Sequence, residues 1–178
     1  TVSRCGMVWF SEDVLSNEMI FDNYLMKLRN VAVEEGDEGW VRPPTSSQSE
    51  NQEEEINPQL QVQRDCATLL APYFTPDGLV IKCMEFAAGL DHIMDFTRLR
   101  ALGTLFSMLN QAVREVLTYN NSHPDFPMQQ DQLERYMPKA LVYSLLWSMA
   151  GDGRLKVRQE LGDFIRGVTT IPLPAQVN

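Results

Sequence analysis

Three arginines are the side chains of this sequence whose type and position most favour a chemical role. Arg4 comes immediately before a short apolar run, and Arg98 and Arg100 lie at the start of a long predicted helix. A guanidinium group donates parallel hydrogen bonds and keeps its charge when water is excluded, so arginine is suited to gripping phosphate. Surface ion pairing is the commoner use of an arginine, and spacing alone leaves both interpretations open.

Other kinds of reactive site are absent from the sequence. It contains no GxxxxGK[ST] loop for phosphates, no apolar run ending in two acids for magnesium and no GxSxG turn. Its cysteines, Cys5, Cys66 and Cys83, are widely spaced, which favours a reducing compartment over a disulfide framework. The histidines, His92 and His123, lack neighbours of the metal-binding kind. We therefore expect no metal site and no catalysis from this chain alone.

The charge of the chain is concentrated in one segment. The formal net charge is −9, and residues 34–55 hold eight acids against Arg42, a net −7 that leaves −2 elsewhere. The remainder is nearly neutral, which argues against a nucleic-acid surface. The most apolar stretch, residues 140–150, is too short and too interrupted by polar side chains to cross a membrane.

Apolar spacing at three and four residues predicts an all-α fold of five to six helices after one short strand at residues 7–10. An N-cap at Ser11, a break or bend at Pro138 and helix ends at Gly151 and Gly167 follow from the residue types at those positions. Residues 34–57 are rich in acids, Gly, Pro and Ser, which predicts a mobile insertion. The predicted helices span residues 11–30, 58–72, 76–90, 95–119, 127–149 and 154–166.

Long phrases of the sequence resemble cytoplasmic dynein heavy chains at the end of the second AAA+ module of the motor ring. These phrases are TVSRCGMVWFSEDVLS, LDHIMDFTRLRALGTLFSMLNQA and LVYSLLWSMAGDGRLKVRQELGDFIR. The resemblance implies the end of the large AAA+ subdomain at 1–10 and the first helix of the helical lid (the small subdomain) at 11–33. It further implies an acidic insertion at 34–57, the rest of the lid at 58–167 and a linker toward the third module at 168–178.

The same resemblance implies roles for the three arginines. Arg4 occupies the place of an arginine finger, which reaches the nucleotide of the preceding module. The phrase DFTRLRALGTLF resembles the start of a sensor-2 helix, in which Arg100 is the first candidate for contact with ATP and Arg98 the second. The resemblance implies ATP or ADP with magnesium in the intact module, and no bound nucleotide in the isolated fragment.

The resemblance also implies a parent protein that is an ATP-driven, minus-end-directed microtubule motor on the cytoplasmic microtubule cytoskeleton. The lid would contribute nucleotide contacts and transmit conformational change round the ring. Its implied partners are the neighbouring AAA+ modules, and those of the parent are microtubules, intermediate and light chains, and dynactin. The alternative left open is a free-standing helical protein–protein interaction domain whose acidic loop recruits a basic partner.

Overall fold

A computed structural model of the chain describes residues 15–33 and 58–172, and within these ranges the fold is all-α. This confirms the fold class predicted from the sequence. The strand predicted at 7–10, the acidic insertion at 34–57 and most of the linker at 168–178 lie outside the described residues. The helices are α1 Asn17–Asn30, α2 Pro58–Leu70, α3 Leu79–Ala88, α4 Arg98–Ser122, α5 Gln130–Ala150 and α6 Leu155–Val168, with a 3-10 turn at Ala71–Phe74.

Several helices begin later than their sequences predict. The hydroxyl of Ser16, five residues past the predicted cap, accepts a hydrogen bond of 3.2 Å from Met19 N–H, so α1 begins at Asn17. The N-cap of α3 is Gly78, not Thr75, whose hydroxyl donates to Pro72 O at 3.3 Å. Gln132 Oε1 accepts from the N–H of Gln129 at 2.9 Å, which places the start of α5 after the predicted one. Polar side chains thus cap the observed starts of α1 and α5, whereas α3 begins after Gly78 without a side-chain cap.

Of the bend or break predicted at Pro138, the break is absent, because α5 continues through this residue to Ala150. Proline removes one backbone hydrogen bond from a helix interior. Burial on either side offsets that loss, since both Met137 and Leu141 are fully buried. The predicted stop at Gly151 is confirmed, and a Cβ there would collide with the carbonyl oxygen of Trp147. Gly167 does not end the last helix, which runs to Val168.

The core forms around α5, which packs against α2, α3, α4 and α6. A cluster of rings then joins α1 to α4 and to the 3-10 turn. The rings of Tyr24 and Phe106 stack at 4.1 Å between centroids, and Phe21 meets Phe74 edge-on at 5.1 Å. The hydroxyl of Tyr24 donates to Asn110 Oδ1 at 3.2 Å, which satisfies two groups in a buried setting.

The carboxamide of Gln63 holds the end of α1 against α2. Gln63 is 1% exposed and its Nε2 donates to Leu28 O at 2.9 Å and Val31 O at 2.8 Å. Its Oε1 accepts from the N–H of Val33 at 3.1 Å. The last carbonyls of a helix lack partners within the helix, so one buried side chain here replaces water at the end of α1.

Gln63→Leu is expected to lower the free energy of unfolding by about 3 kcal/mol, because three buried or partly buried backbone groups lose their partner while the side-chain volume is kept. Urea unfolding followed by circular dichroism measures this loss. Gln61→Leu is the matched control on the same helix, since Gln61 is exposed and its Nε2 donates to Asp65 Oδ1 at 3.0 Å. Similar unfolding midpoints for the two variants would contradict the assigned role.

Candidate functional site

The two arginines at the start of α4 have different surroundings. Arg98 is half-buried and Arg100 is exposed, although both lie in the first turn of the helix. Arg4, the third candidate, lies outside the described residues. Of the three candidate arginines, the structure therefore describes the two at the start of α4.

Arg98 binds the stretch of chain that leads into α1. One terminal nitrogen, Nη1, donates to Asn17 Oδ1 at 3.0 Å, and the other, Nη2, donates to the carbonyl oxygen of Leu15 at 2.7 Å. Hydrogen bonds from a charged donor are stronger than those between neutral groups. Arg98 consequently joins the first turn of α4 to the N-terminal end of α1, two elements that are far apart in sequence.

Arg100 has no such contact in the part of the chain that the structure describes. Its backbone carbonyl accepts from the Thr104 hydroxyl at 3.0 Å, while no described side chain or carbonyl accepts from its guanidinium. The helix begins after Thr97, whose side chain makes no capping hydrogen bond. A helix start carries partial positive charge, so Arg100 adds a full charge where an anion is already favoured.

His92 and Asp152 position the connector between α3 and α4. His92 Nδ1 lies 3.0 Å from Asp152 Oδ1, and its Nε2 lies 2.6 Å from the carbonyl oxygen of Ala87. The other carboxylate oxygen of Asp152 accepts from the N–H of Met94 at 3.2 Å. The two side chains are only 6% and 16% exposed. They tie the connector to the turn between α5 and α6, and so fix where α4 begins.

This pair could not be found from sequence, because its members are 60 residues apart and neither belongs to a motif. The prediction for His92 was a core or surface residue, not a ligand. The structure shows no group of three potential metal ligands among the residues it describes. His92 is a buried contact between two parts of the bundle.

The described cysteines are poorly suited to reaction. Burial raises the pKa of the Cys66 thiol to about 12, with the nearby Asp65 charge acting in the same direction. Burial likewise raises the pKa of Cys83 to about 12. The thiolate is the nucleophilic form, so at neutral pH these two thiols behave as small apolar core groups.

Arg98→Ala is expected to lower the free energy of unfolding by about 1–2 kcal/mol, since a half-buried, charge-assisted contact is lost. Arg100→Ala is expected to change it by less than about 0.5 kcal/mol, as is usual for an exposed site. Chemical unfolding of both variants beside the parent chain makes the comparison. Equal losses would show that Arg100 also holds the fold together.

The stability contributed by Asp152 is expected to disappear in acid. Burial alone would raise the pKa of this carboxyl, but hydrogen bonds from His92 and Met94 outweigh it and hold the pKa below the usual 3.8. A lowered folded-state pKa adds stability that is complete above the unfolded pKa and lost as pH falls through the folded one. The stability gap between the parent chain and Asp152→Asn should therefore be constant from about pH 5 to 7 and shrink below about pH 4.

The matched control for this measurement is Asp22→Asn, at an exposed position in the middle of α1. Unfolding of the three proteins by urea at each pH supplies the data. A gap between parent and Asp152→Asn that persists unchanged at the acid end would mean that the carboxylate charge contributes nothing to the contact.

None of the described helices is both long enough and apolar enough to cross a membrane.

Comparison with known proteins identifies the helical bundle. The family described as the dynein heavy chain AAA lid domain matches residues 70–178.

Relatives extend the likeness along nearly the whole chain. The cytoplasmic dynein heavy chain of Drosophila melanogaster is 64% identical over 177 residues, 98% of this chain and 4% of that protein. Those of Neurospora crassa and Dictyostelium discoideum are 43% and 37% identical over 174 and 209 aligned residues, again covering 98% of this chain. The chain thus spans about 4% of the length of these relatives. On the family match and these identities, the chain belongs to the dynein heavy chains and contains their AAA lid domain.

Proposed function

We propose that this chain is the lid of the second AAA+ module in a cytoplasmic dynein heavy chain, and that it contacts nucleotide through Arg100. The observation that carries the proposal is the contrast at the start of α4, where Arg98 is engaged by α1 and Arg100 faces outward. The family match supports a lid over a free-standing interaction domain. The parent protein would be an ATP-driven, minus-end-directed microtubule motor in the cytoplasm.

The nucleotide would be ATP or ADP with magnesium, and the described residues fit only part of it. An exposed guanidinium at the positive end of a helix is suited to a phosphate oxygen. The described residues provide no cluster of carboxylates for the metal. Magnesium and most phosphate contacts would therefore come from other parts of the heavy chain, and Arg100 would balance phosphate charge from the lid side.

The two contacts around the start of α4 would let the lid move as one body. Arg98 links this point to the entrance of α1, and the His92–Asp152 pair links the preceding connector to the α5–α6 turn. Close-packed interiors transmit displacement better than they absorb it. A shift of Arg100 with the nucleotide would consequently reach α1 and the α5–α6 turn, and through them the neighbouring AAA+ modules.

Arg4 is proposed as the arginine finger that serves the preceding module. A guanidinium in that position would stabilise the charge that develops on the transferring phosphoryl group. Other proposed partners belong to the complete motor and comprise microtubules, the intermediate and light chains, and dynactin. This fragment would act as a transmission part within that assembly.

The test is made in the complete heavy chain. Arg4→Ala is expected to reduce microtubule-stimulated ATP hydrolysis by on the order of 10³-fold or more, with a smaller effect on nucleotide binding, because a finger acts most strongly on the transition state. Arg4→Lys should rescue poorly, since an ammonium loses the planar fork. Arg100→Ala should instead weaken retention of nucleotide by the second module.

Arg29→Ala is the matched control, because Arg29 is an exposed arginine near the end of α1. Hydrolysis rate, nucleotide content and gliding velocity are compared across the variants, with ring integrity checked by electron microscopy. If Arg4→Ala hydrolyses ATP and glides microtubules at the parental rate, Arg4 is not the finger. If Arg100→Ala retains nucleotide as the parent does, the lid contact is not made by Arg100.

A further inference from the structure

An outward surface of α5 and α6 combines aromatic and basic side chains. We call it the basic aromatic face, and it comprises Lys139, Tyr143, Trp147, Arg154, Leu155 and Arg158. On α5, Lys139, Tyr143 and Trp147 follow one another at intervals of four residues and all are exposed. Arg154 is the N-cap residue of α6, and its carbonyl oxygen accepts from the N–H of Arg158 in the first turn of that helix at 3.3 Å.

Contacts across the two helices join this set into one surface. The guanidinium carbon of Arg158 lies 5.5 Å from the centre of the Trp147 ring, a cation–π distance. The Trp147 ring lies 6.3 Å from that of Tyr143. Tyr143, Trp147 and Leu155 remain 58%, 43% and 54% exposed. Large apolar side chains are thus exposed beside Arg158, whose guanidinium already contacts the Trp147 ring.

Four carboxylates on α5, on α6 and in the turn between them are engaged with other groups. Asp152 binds His92, and three exposed ion pairs account for Asp131 with Arg135 at 4.0 Å, Glu160 with Lys156 at 3.6 Å and Asp163 with Arg166 at 3.0 Å. Within the described ranges, no acidic group lies at ion-pair distance from Lys139, Arg154 or Arg158. The face is locally positive although the whole chain carries −9.

We propose that the basic aromatic face binds an acidic segment of a protein partner. Carboxylates of that segment would meet Lys139, Arg154 and Arg158, and an apolar side chain between them would pack on Trp147 and Leu155. Arginine binds carboxylates through two parallel hydrogen bonds. Trp, Tyr and Arg are the residues that most often dominate the energy of protein interfaces. The contact between Arg158 and Trp147 lowers the ordering cost of binding, because it exists beforehand.

Two features favour an acidic protein over nucleic acid. Among the described residues, the basic aromatic face contains three cations, whereas affinity for nucleic acid is built from many phosphate contacts. The protein as a whole is acidic and therefore repels polyanions. This repulsion opposes a long DNA duplex more than it opposes a short acidic peptide segment. This proposal stands independently of the nucleotide contact at Arg100, which lies on another helix.

The experiment uses the full 178-residue chain and a fluorescent peptide of four Glu-Glu-Leu repeats, with binding followed by anisotropy. Saturable binding is expected, weakening at higher salt because charge contributes to it. Arg158→Glu is expected to weaken binding at least about tenfold, and Lys139→Glu, at an exposed position, should act in the same direction. Circular dichroism melts confirm that each variant is folded.

Lys82→Glu is the matched control, since it makes the same charge change at an exposed position on α3. It should leave binding within about twofold of the parent chain. Absence of saturable binding by the parent, or equal weakening by Lys82→Glu and Lys139→Glu, would overturn the proposal. Tighter binding of a four-repeat Lys-Lys-Leu peptide or of a DNA duplex would overturn the acidic-protein assignment.

Discussion

The position of α1 depends on the hydrogen bonds that the buried side chain of Gln63 makes. No secondary-structure hydrogen bonds connect α1 to the other described helices, so packing and side-chain contacts must hold it. Gln63 satisfies backbone groups at the end of α1, and Arg98 reaches the other end of the same helix. In the middle of α1, the Tyr24 hydroxyl donates to Asn110 Oδ1 at 3.2 Å. Burial gives α1 its affinity for the bundle, and these polar contacts give it one orientation.

The start of α4 is held from two directions by contacts of this polar kind. Arg98 attaches it to the entrance of α1, while His92 and Asp152 attach the preceding connector to the turn after α5. Neither contact uses Arg100. A lid that must respond to a ligand needs its sensing group on a rigid base, because a loose base would absorb the displacement. The separation of Arg98 and Arg100 into structural and outward-facing residues is the arrangement that the proposed nucleotide contact at Arg100 requires.

Much of the bundle was predictable from sequence because helical periodicity is a local property. The apolar stripe of α4 predicts Leu99, Leu102 and Leu109 among its core residues; Leu102 and Leu109 are buried, whereas Leu99 is 42% exposed. Helix starts were less predictable, since Pro76 and Pro127 lie before the observed starts at Leu79 and Gln130. The cap predicted at Ser11 lies outside the described residues. Pro138 shows the same limit in a helix interior, where burial of Met137 and Leu141 outweighs the local preference for a break.

The sequence by itself determined the helical class, the dynein family and the candidate arginines at the start of α4, since periodicity and long literal phrases survive without three-dimensional information. Tertiary structure decided which of those arginines is engaged, and it paired His92 with Asp152 and Gln63 with the end of α1. These contacts join residues that are far apart in sequence, from 30 positions for Gln63 with Val33 to 83 for Arg98 with Leu15. Only the packing of the helices brings such groups within hydrogen-bonding distance, because a hydrogen bond depends on separation in space and not along the chain.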